Sequence, residues 1–107
     1  MGCQMQIIVK QLAPAVINNE AIAQKVQQTA QNVLSNSTLD TSGFTTMAAE
    51  DMAFMQEKVP GCYFFIGSND SSRHLDYGHH HPKFDFDEEA LVRGAALMAS
   101  AAANILR

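Results

Sequence analysis

The chain has 107 residues, a formal net charge of −4 and a pI near 5.4, enough length for one domain with a modest core. A 47% hydrophobic and 17% charged composition excludes a disordered chain, and the acidic balance leaves no basic footprint, so neither nucleic acid nor an anionic membrane is an expected partner. No apolar run approaches the roughly 20 residues of a membrane-spanning helix, and with no leader or lipidation pattern at the N-terminus the cytoplasm is the expected compartment.

In chain order, residues 5–9 (Met-Gln-Ile-Ile-Val) read as a short strand ending at Lys10. Pro14 interrupts, and Asn18-Asn19 marks a turn and a helix cap. From Asn19 to about Leu34, Ile22, Val26, Ala30 and Val33 recur at spacings of four, four and three, which is one helical face. Residues 35–43 are a polar loop with room for a short edge strand. Thr45-Thr46 precedes a second helix over residues 48–58, closed by Pro60-Gly61.

Residues 62–66 (Cys-Tyr-Phe-Phe-Ile) are the clearest strand, aromatic-rich and ended by Gly67. Their unbroken apolarity implies burial on both faces. A long polar loop follows over residues 68–82, a length that is usually functional or disordered. The last helix is expected from Asp87 to Ile105, with Asp87 as N-cap, or Asp85 and Glu88 as a capping box. Glu88 and Glu89 suit its dipole, as does Arg107 at the other end. Leu91, Ala95, Met98, Ala102 and Ile105 form its expected buried stripe. The class is therefore α/β, with helices packed on a small, incomplete sheet. Two strands are too few for an independent sheet, so a missing part or an oligomer is implied.

Cys3 and Cys62 form no CxxC pair, and a reduced, mostly buried pair is the expectation. Burial in an apolar run should raise the Cys62 pKa and blunt its reactivity. His79, His80 and His81 stand just before the last helix, where a neutral imidazole could be held as a metal ligand. Neighbouring side chains diverge, so at most one or two could meet one ion. The plain alternative is a run of solvated loop histidines. Glu50-Asp51, at the start of the second helix, is explained equally by the helix dipole. Gly67 ends the apolar strand, where a bare backbone could approach a ligand.

Three segments taken in order resemble one family. Met47-Ala48-Ala49-Glu50-Asp51-Met52-Ala53-Phe54-Met55 resembles its G-x-E-D-F-x-x-F/M helix start. Val59-Pro60-Gly61-Cys62-Tyr63-Phe64-Phe65-Ile66-Gly67 resembles its V-P-G-x-F-F-x-x-G strand. His80-His81-Pro82-Lys83-Phe84-Asp85-Phe86-Asp87-Glu88-Glu89-Ala90-Leu91 resembles its H-x-P-x-F-D-F-D-E-x-A-L element. The family is the M20 metallopeptidases, in the amidohydrolase branch of hippurate hydrolases and N-acyl-amino-acid amidohydrolases.

The resemblance implies a partial zinc-peptidase-like α/β layer. Residues 1–17 would be the segment returning from an inserted dimerisation domain, and residues 18–107 the C-terminal portion of the catalytic domain. It implies a centre of two divalent metals, zinc, manganese or similar, that activates water to cleave an amide. The histidine two positions before the proline falls on His80, the implied metal ligand, with His79 and His81 as flanking candidates. Glu50, Asp51 and Gly67 take supporting places near the site, and no catalytic residue falls within the chain. The family's other ligands are a Cys-x-His pair, a Glu-Glu pair containing the base, and another His, all upstream. This chain carries none of them at a corresponding position; Cys3 is followed by Gln4 and Met5.

The expectation is a fragment of an N-acyl amino acid amidohydrolase, inactive in isolation, with a homo-oligomer as its expected assembly. A second expectation is a non-catalytic α/β module used for oligomerisation or a metal contact.

Overall fold

Asn19 caps the first helix as the sequence predicts: its side chain accepts a hydrogen bond from the Ile22 N–H at 3.1 Å. The computed structural model describes residues 2–107, and this helix, α1, spans Glu20–Val33. Two further helices follow, α2 at Met52–Gln56 and α3 at Glu89–Ile105, with a 3-10 turn at Ser71–Arg73 between them. Helix is the main regular structure among the described residues, and α1 packs on α3.

That packing makes the core. Val26 and Ala30 of α1 and Leu97 and Ala101 of α3 are buried. Thr29 lies among them at 2% exposure, its hydroxyl donating to the Lys25 carbonyl at 2.8 Å and accepting from Asn104 Nδ2 at 3.1 Å. A buried hydroxyl with both bonds made carries little desolvation cost. Ile66 faces α3 at Gly94, where an added Cβ would meet Ile66 Cδ1 at 3.5 Å, an ordinary contact. Residue 66 therefore lies against the middle of α3.

The expected stripe of α3 is corrected. Leu91 is 61% and Met98 64% exposed, Ala95 and Ala102 are exposed as well, and Leu97 and Ala101 are buried in their place. The helix is apolar almost all round, so its period alone could not choose the face. The second helix is shorter than expected. It opens with tight bonds from Ala53 N–H to the Glu50 carbonyl and from Phe54 N–H to the Asp51 carbonyl, both 3.1 Å. Residues 48–51 precede it, where Thr46 Oγ1 accepts from the Ala48 N–H at 3.3 Å. With Met47 fully exposed, that leading turn has nothing to pack on.

Among the described residues there is no strand, so the expected sheet does not form within this chain. Residues 5–9 make no backbone–backbone hydrogen bond, and Met5, Ile7, Ile8 and Val9 are exposed. Residues 62–66 also lack a ladder, and the burial expected on both faces is not found: Phe65 is 61% exposed and its neighbours are half-buried. The physical reason is common to both: a strand needs a neighbour for its N–H and C=O groups, and neither segment has one here. The radius of gyration of 18.3 Å follows, against about 13 Å for a compact chain of this length.

Candidate functional site

The loop between residues 67 and 89 is tied at both ends. Asp87 N–H donates to the Ser68 carbonyl at 2.8 Å, and Asp87 Oδ1 accepts from the Glu89 N–H at 3.3 Å and from Arg73 at 3.2 Å. Asp87 thus serves the start of α3 as the sequence predicts, while Asp85 instead accepts from the Phe86 N–H at 2.8 Å. Upstream, Asp70 Oδ1 accepts from the Ser72 N–H at 3.0 Å and its hydroxyl at 2.6 Å. Those bonds hold the Asp70 carboxyl below its ordinary pKa. His74 closes this turn in the left-handed region, φ 59°.

The three histidines have different surroundings. His81 stacks on Tyr77, with ring centroids 4.3 Å apart and planes 9° apart. Its Nδ1 accepts from the Lys83 N–H at 3.1 Å. His79 meets Phe84 edge-on at 5.0 Å. His80, between them, is exposed and has φ +67°, a conformation that costs a β-carbon-bearing residue about 1–2 kcal/mol. No aromatic or hydrogen-bond partner holds its ring among the described residues.

Glu50 and Asp51 lead into α2, Glu50 half-buried and Asp51 exposed. Partial burial, with the Glu50 carboxylate beside it, pushes the Tyr63 phenol above its ordinary pKa. Tyr63 is held from the other side of the chain. Asn18 Oδ1 accepts from the Tyr63 N–H at 2.7 Å and from Gln56 Nε2 at 3.2 Å, while Asn18 Nδ2 donates to the Tyr63 carbonyl at 2.8 Å. Gly67 is exposed and lines a 920 Å³ groove with residues of α1, the 35–44 loop and residues 62–66. Both cysteines are free; Cys3 is exposed, against the expected burial, because residues 5–9 beside it pack on nothing, while partial burial pushes the thiol of half-buried Cys62 up, as the sequence implies.

Glu50 is therefore brought to Tyr63, and His79 and His81 to Phe84 and Tyr77. Among the described residues, no three His, Cys, Asp or Glu side chains converge into a set able to enclose an ion. Sequence reasoning missed Asn18, Tyr77 and the Arg73–Asp87 pair. Tyr77 and His81 are four apart, a spacing visible in the sequence, but Asn18 reaches across 45 residues with no local signal.

Comparison with known proteins agrees with the ordered motifs. The model of peptidase family M20/M25/M40 matches residues 3–104. YhaA of Bacillus subtilis (strain 168), which carries an amidohydrolase name, is 34% identical over 102 residues, covering 94% of this chain and 25% of that protein. IAA-amino acid hydrolase ILR1-like 6 of Arabidopsis thaliana is 33% identical over 109 residues, covering 98% of this chain and 23% of that protein. N-acetyl-L-cysteine deacetylase of Bacillus subtilis (strain 168) is 30% identical over 93 residues, 87% of this chain and 20% of that protein. The chain thus spans about a quarter of the length of the curated relatives it matches. No solved structure gives a match.

Proposed function

The chain belongs to peptidase family M20/M25/M40, and from that premise we propose that it is one part of a metal-dependent amidohydrolase, to which it supplies the ligand His80. The complete protein hydrolyses the amide bond of an N-acyl amino acid or a related small conjugate. The observation that carries the reading is the contrast within the histidine run: His79 and His81 are packed on aromatic rings, and His80 stands free in a left-handed turn. Backbone strain of this kind collects at functional sites. The relatives named as a deacetylase of N-acetyl-L-cysteine and as an IAA-amino acid hydrolase support the substrate class.

A single exposed imidazole fits zinc, manganese or a similar ion as one donor of several, in a site that takes two ions in the complete enzyme. Bound there with its other ligands, such an ion would supply Lewis acidity toward an amide carbonyl and a water. This chain's own residues position. The loop tied through Asp87 fixes where His80 stands relative to α3. Glu50 and Asp51 take supporting places, with Glu50 beside the Tyr63 phenol, and the bare backbone at Gly67 leaves room for substrate to approach.

In this reading residues 18–107 are the C-terminal portion of the catalytic domain, and residues 1–17 return from an inserted dimerisation domain that assembles a homo-oligomer. Residues 5–9 and 62–66 become strands when the remainder of the sheet supplies neighbours. Their exposed apolar side chains, and the open face of α3 at Leu91, Val92 and Met98, support that placement. Among the described residues no helix is long and apolar enough to cross a membrane.

By itself the chain should not turn over substrate, because one imidazole cannot replace the remaining ligands and the base. The test is hydrolysis of N-acetyl amino acids with added Zn²⁺ or Mn²⁺, by the 107-residue chain and by the full-length protein. Turnover by the full-length protein alone is expected, with loss of metal in its His80→Ala variant. Robust turnover by the short chain, or full metal content in that variant, would overturn the reading.

A further inference from the structure

Two of the three histidines make specific ring contacts, and the ring of His80 makes none. His81 is flat against Tyr77, and its Nδ1 is occupied by the Lys83 N–H. Its own N–H donates to the Gly78 carbonyl at 3.2 Å, and its carbonyl accepts from the Phe84 N–H at 2.9 Å. His79 lies edge-on to Phe84, which in turn stacks near Phe86 at 6.2 Å. The Lys83 ammonium sits over the Tyr77 ring at 5.8 Å from its centroid, within reach of the ring quadrupole. Pro82 confines His81 to extended backbone, so the reversal between Gly78 and His81 falls on residue 80.

The geometry points to Tyr77 and His81 as positioning residues: the stacked pair forms a clamp that holds His80 in its left-handed conformation and aims its ring away from the loop. The inference rests on the reading of His80 as a metal ligand and adds the residues that place it. His81 supplies the clamp in two separable ways, the ring face toward Tyr77 and the Nδ1 acceptor that closes the turn on Lys83. Asparagine can reproduce the second by accepting from the N–H two residues on. Phenylalanine can reproduce the first.

The test is metal affinity of the full-length protein, read by competition of Zn²⁺ with a chromophoric chelator, alongside circular dichroism to verify folding. His80→Ala should lose the affinity outright. Tyr77→Ala and His81→Ala should each weaken it by about 10–100-fold, as residues supporting a ligand do. His81→Asn, His81→Phe and Tyr77→Phe should each recover a large share of that loss. If His80→Ala binds Zn²⁺ normally, the ligand reading fails and the clamp with it. If His80→Ala loses Zn²⁺ but Tyr77→Ala and His81→Ala bind as tightly as the parent, the clamp alone is overturned. It is overturned equally if His81→Ala matches His80→Ala and neither Asn nor Phe restores binding, because His81 is then itself a ligand.

Discussion

The side-chain amide of Asn18 engages both backbone groups of Tyr63, accepting from its N–H at 2.7 Å and donating to its carbonyl at 2.8 Å. In an extended segment the N–H and C=O of one residue point to the same side, where a neighbouring strand would pair with both. Asn18 takes that neighbour's place. The next residue reinforces it, since Asn19 N–H donates to the Gly61 carbonyl at 2.9 Å. Together the two asparagines fix the start of the apolar segment to the start of α1.

Replacing Asn18 separates its donor from its acceptor. Asn18→Asp keeps the bond from Tyr63 N–H but sets a carboxylate oxygen against the Tyr63 carbonyl, while Asn18→Ala loses both bonds and the one from Gln56. At about 0.5–1.5 kcal/mol per bond, either change should cost about 1–3 kcal/mol. The Tyr63 amide should lose hydrogen-exchange protection in Asn18→Ala and keep most of it in Asn18→Asp. Equal, undiminished protection in both variants would show that the contact is not formed in solution.

Asp87 makes a helix cap and an ion pair, and the two can be weighed against each other. Asp87→Ala removes both, with loss of the cap worth about 0.5–2 kcal/mol. Asp87→Asn keeps the acceptor for the Glu89 N–H and removes the charge facing Arg73, whose side chain is 59% exposed. An exposed pair contributes about 0–1 kcal/mol. Denaturant melts should therefore place Asp87→Asn near the parent and Asp87→Ala clearly below it. If Asp87→Asn falls as far as Asp87→Ala, the ion pair is the dominant tie.

Tyr63 predicts an alkaline limit. Its folded pKa is raised, by partial burial first and by the Glu50 carboxylate second. The protonated phenol is therefore favoured by folding. Its contribution is complete below the unfolded value of about 10 and is lost as pH rises through the folded value. Ultraviolet titration should show a late-ionising phenol that is absent in Tyr63→Phe and shifted partway down in Glu50→Gln. An unchanged titration in Glu50→Gln would remove the carboxylate from the account.

Gly94→Ala should stabilise the protein. Glycine inside a helix costs about 1 kcal/mol relative to alanine, and the added Cβ would meet Ile66 Cδ1 at an ordinary 3.5 Å. A gain of about 0.5–1 kcal/mol in thermal or chemical melts is expected. A loss would mean that residue 66 packs closer to α3 than 3.5 Å in the assembled protein.

Legibility in the sequence follows the range of the interaction. The start of α1 is local, an Asn cap followed by apolar residues at helical spacing. Of the expected face Val26 and Ala30 are buried and Ile22 is half-buried, but Val33 is exposed and Thr29 is buried instead, because the face toward α3 is set by the packing partner. Asp87 is likewise legible, because its bond to Glu89 spans two residues. The buried face of α3 is not, since a helix with Leu91, Met98, Leu97 and alanines on all sides offers no polar face to exclude. Residues 5–9 and 62–66 are readable as apolar segments, but a strand needs a partner for its backbone groups, and among the described residues neither segment has one. Of the site, the histidine run was visible; what distinguishes its members was not. That difference lies in the rings of Tyr77 and Phe84 and in one positive φ.

That positive φ gives His80 a signature separating its backbone from its side chain. Alanine at residue 80 would keep the left-handed strain, whereas glycine adopts φ +67° without it, though glycine also gives the unfolded chain more freedom to lose. The two effects oppose, and the strain of about 1–2 kcal/mol is the larger. His80→Gly should therefore melt higher than His80→Ala by an amount on the order of 1 kcal/mol. Both should bind metal equally poorly in the full-length protein, because neither has the ring. Ligand loss and backbone relief would then be read independently at one position. If His80→Gly is no more stable than His80→Ala, residue 80 does not hold the left-handed turn, and the strain ceases to be a reason for assigning it a function.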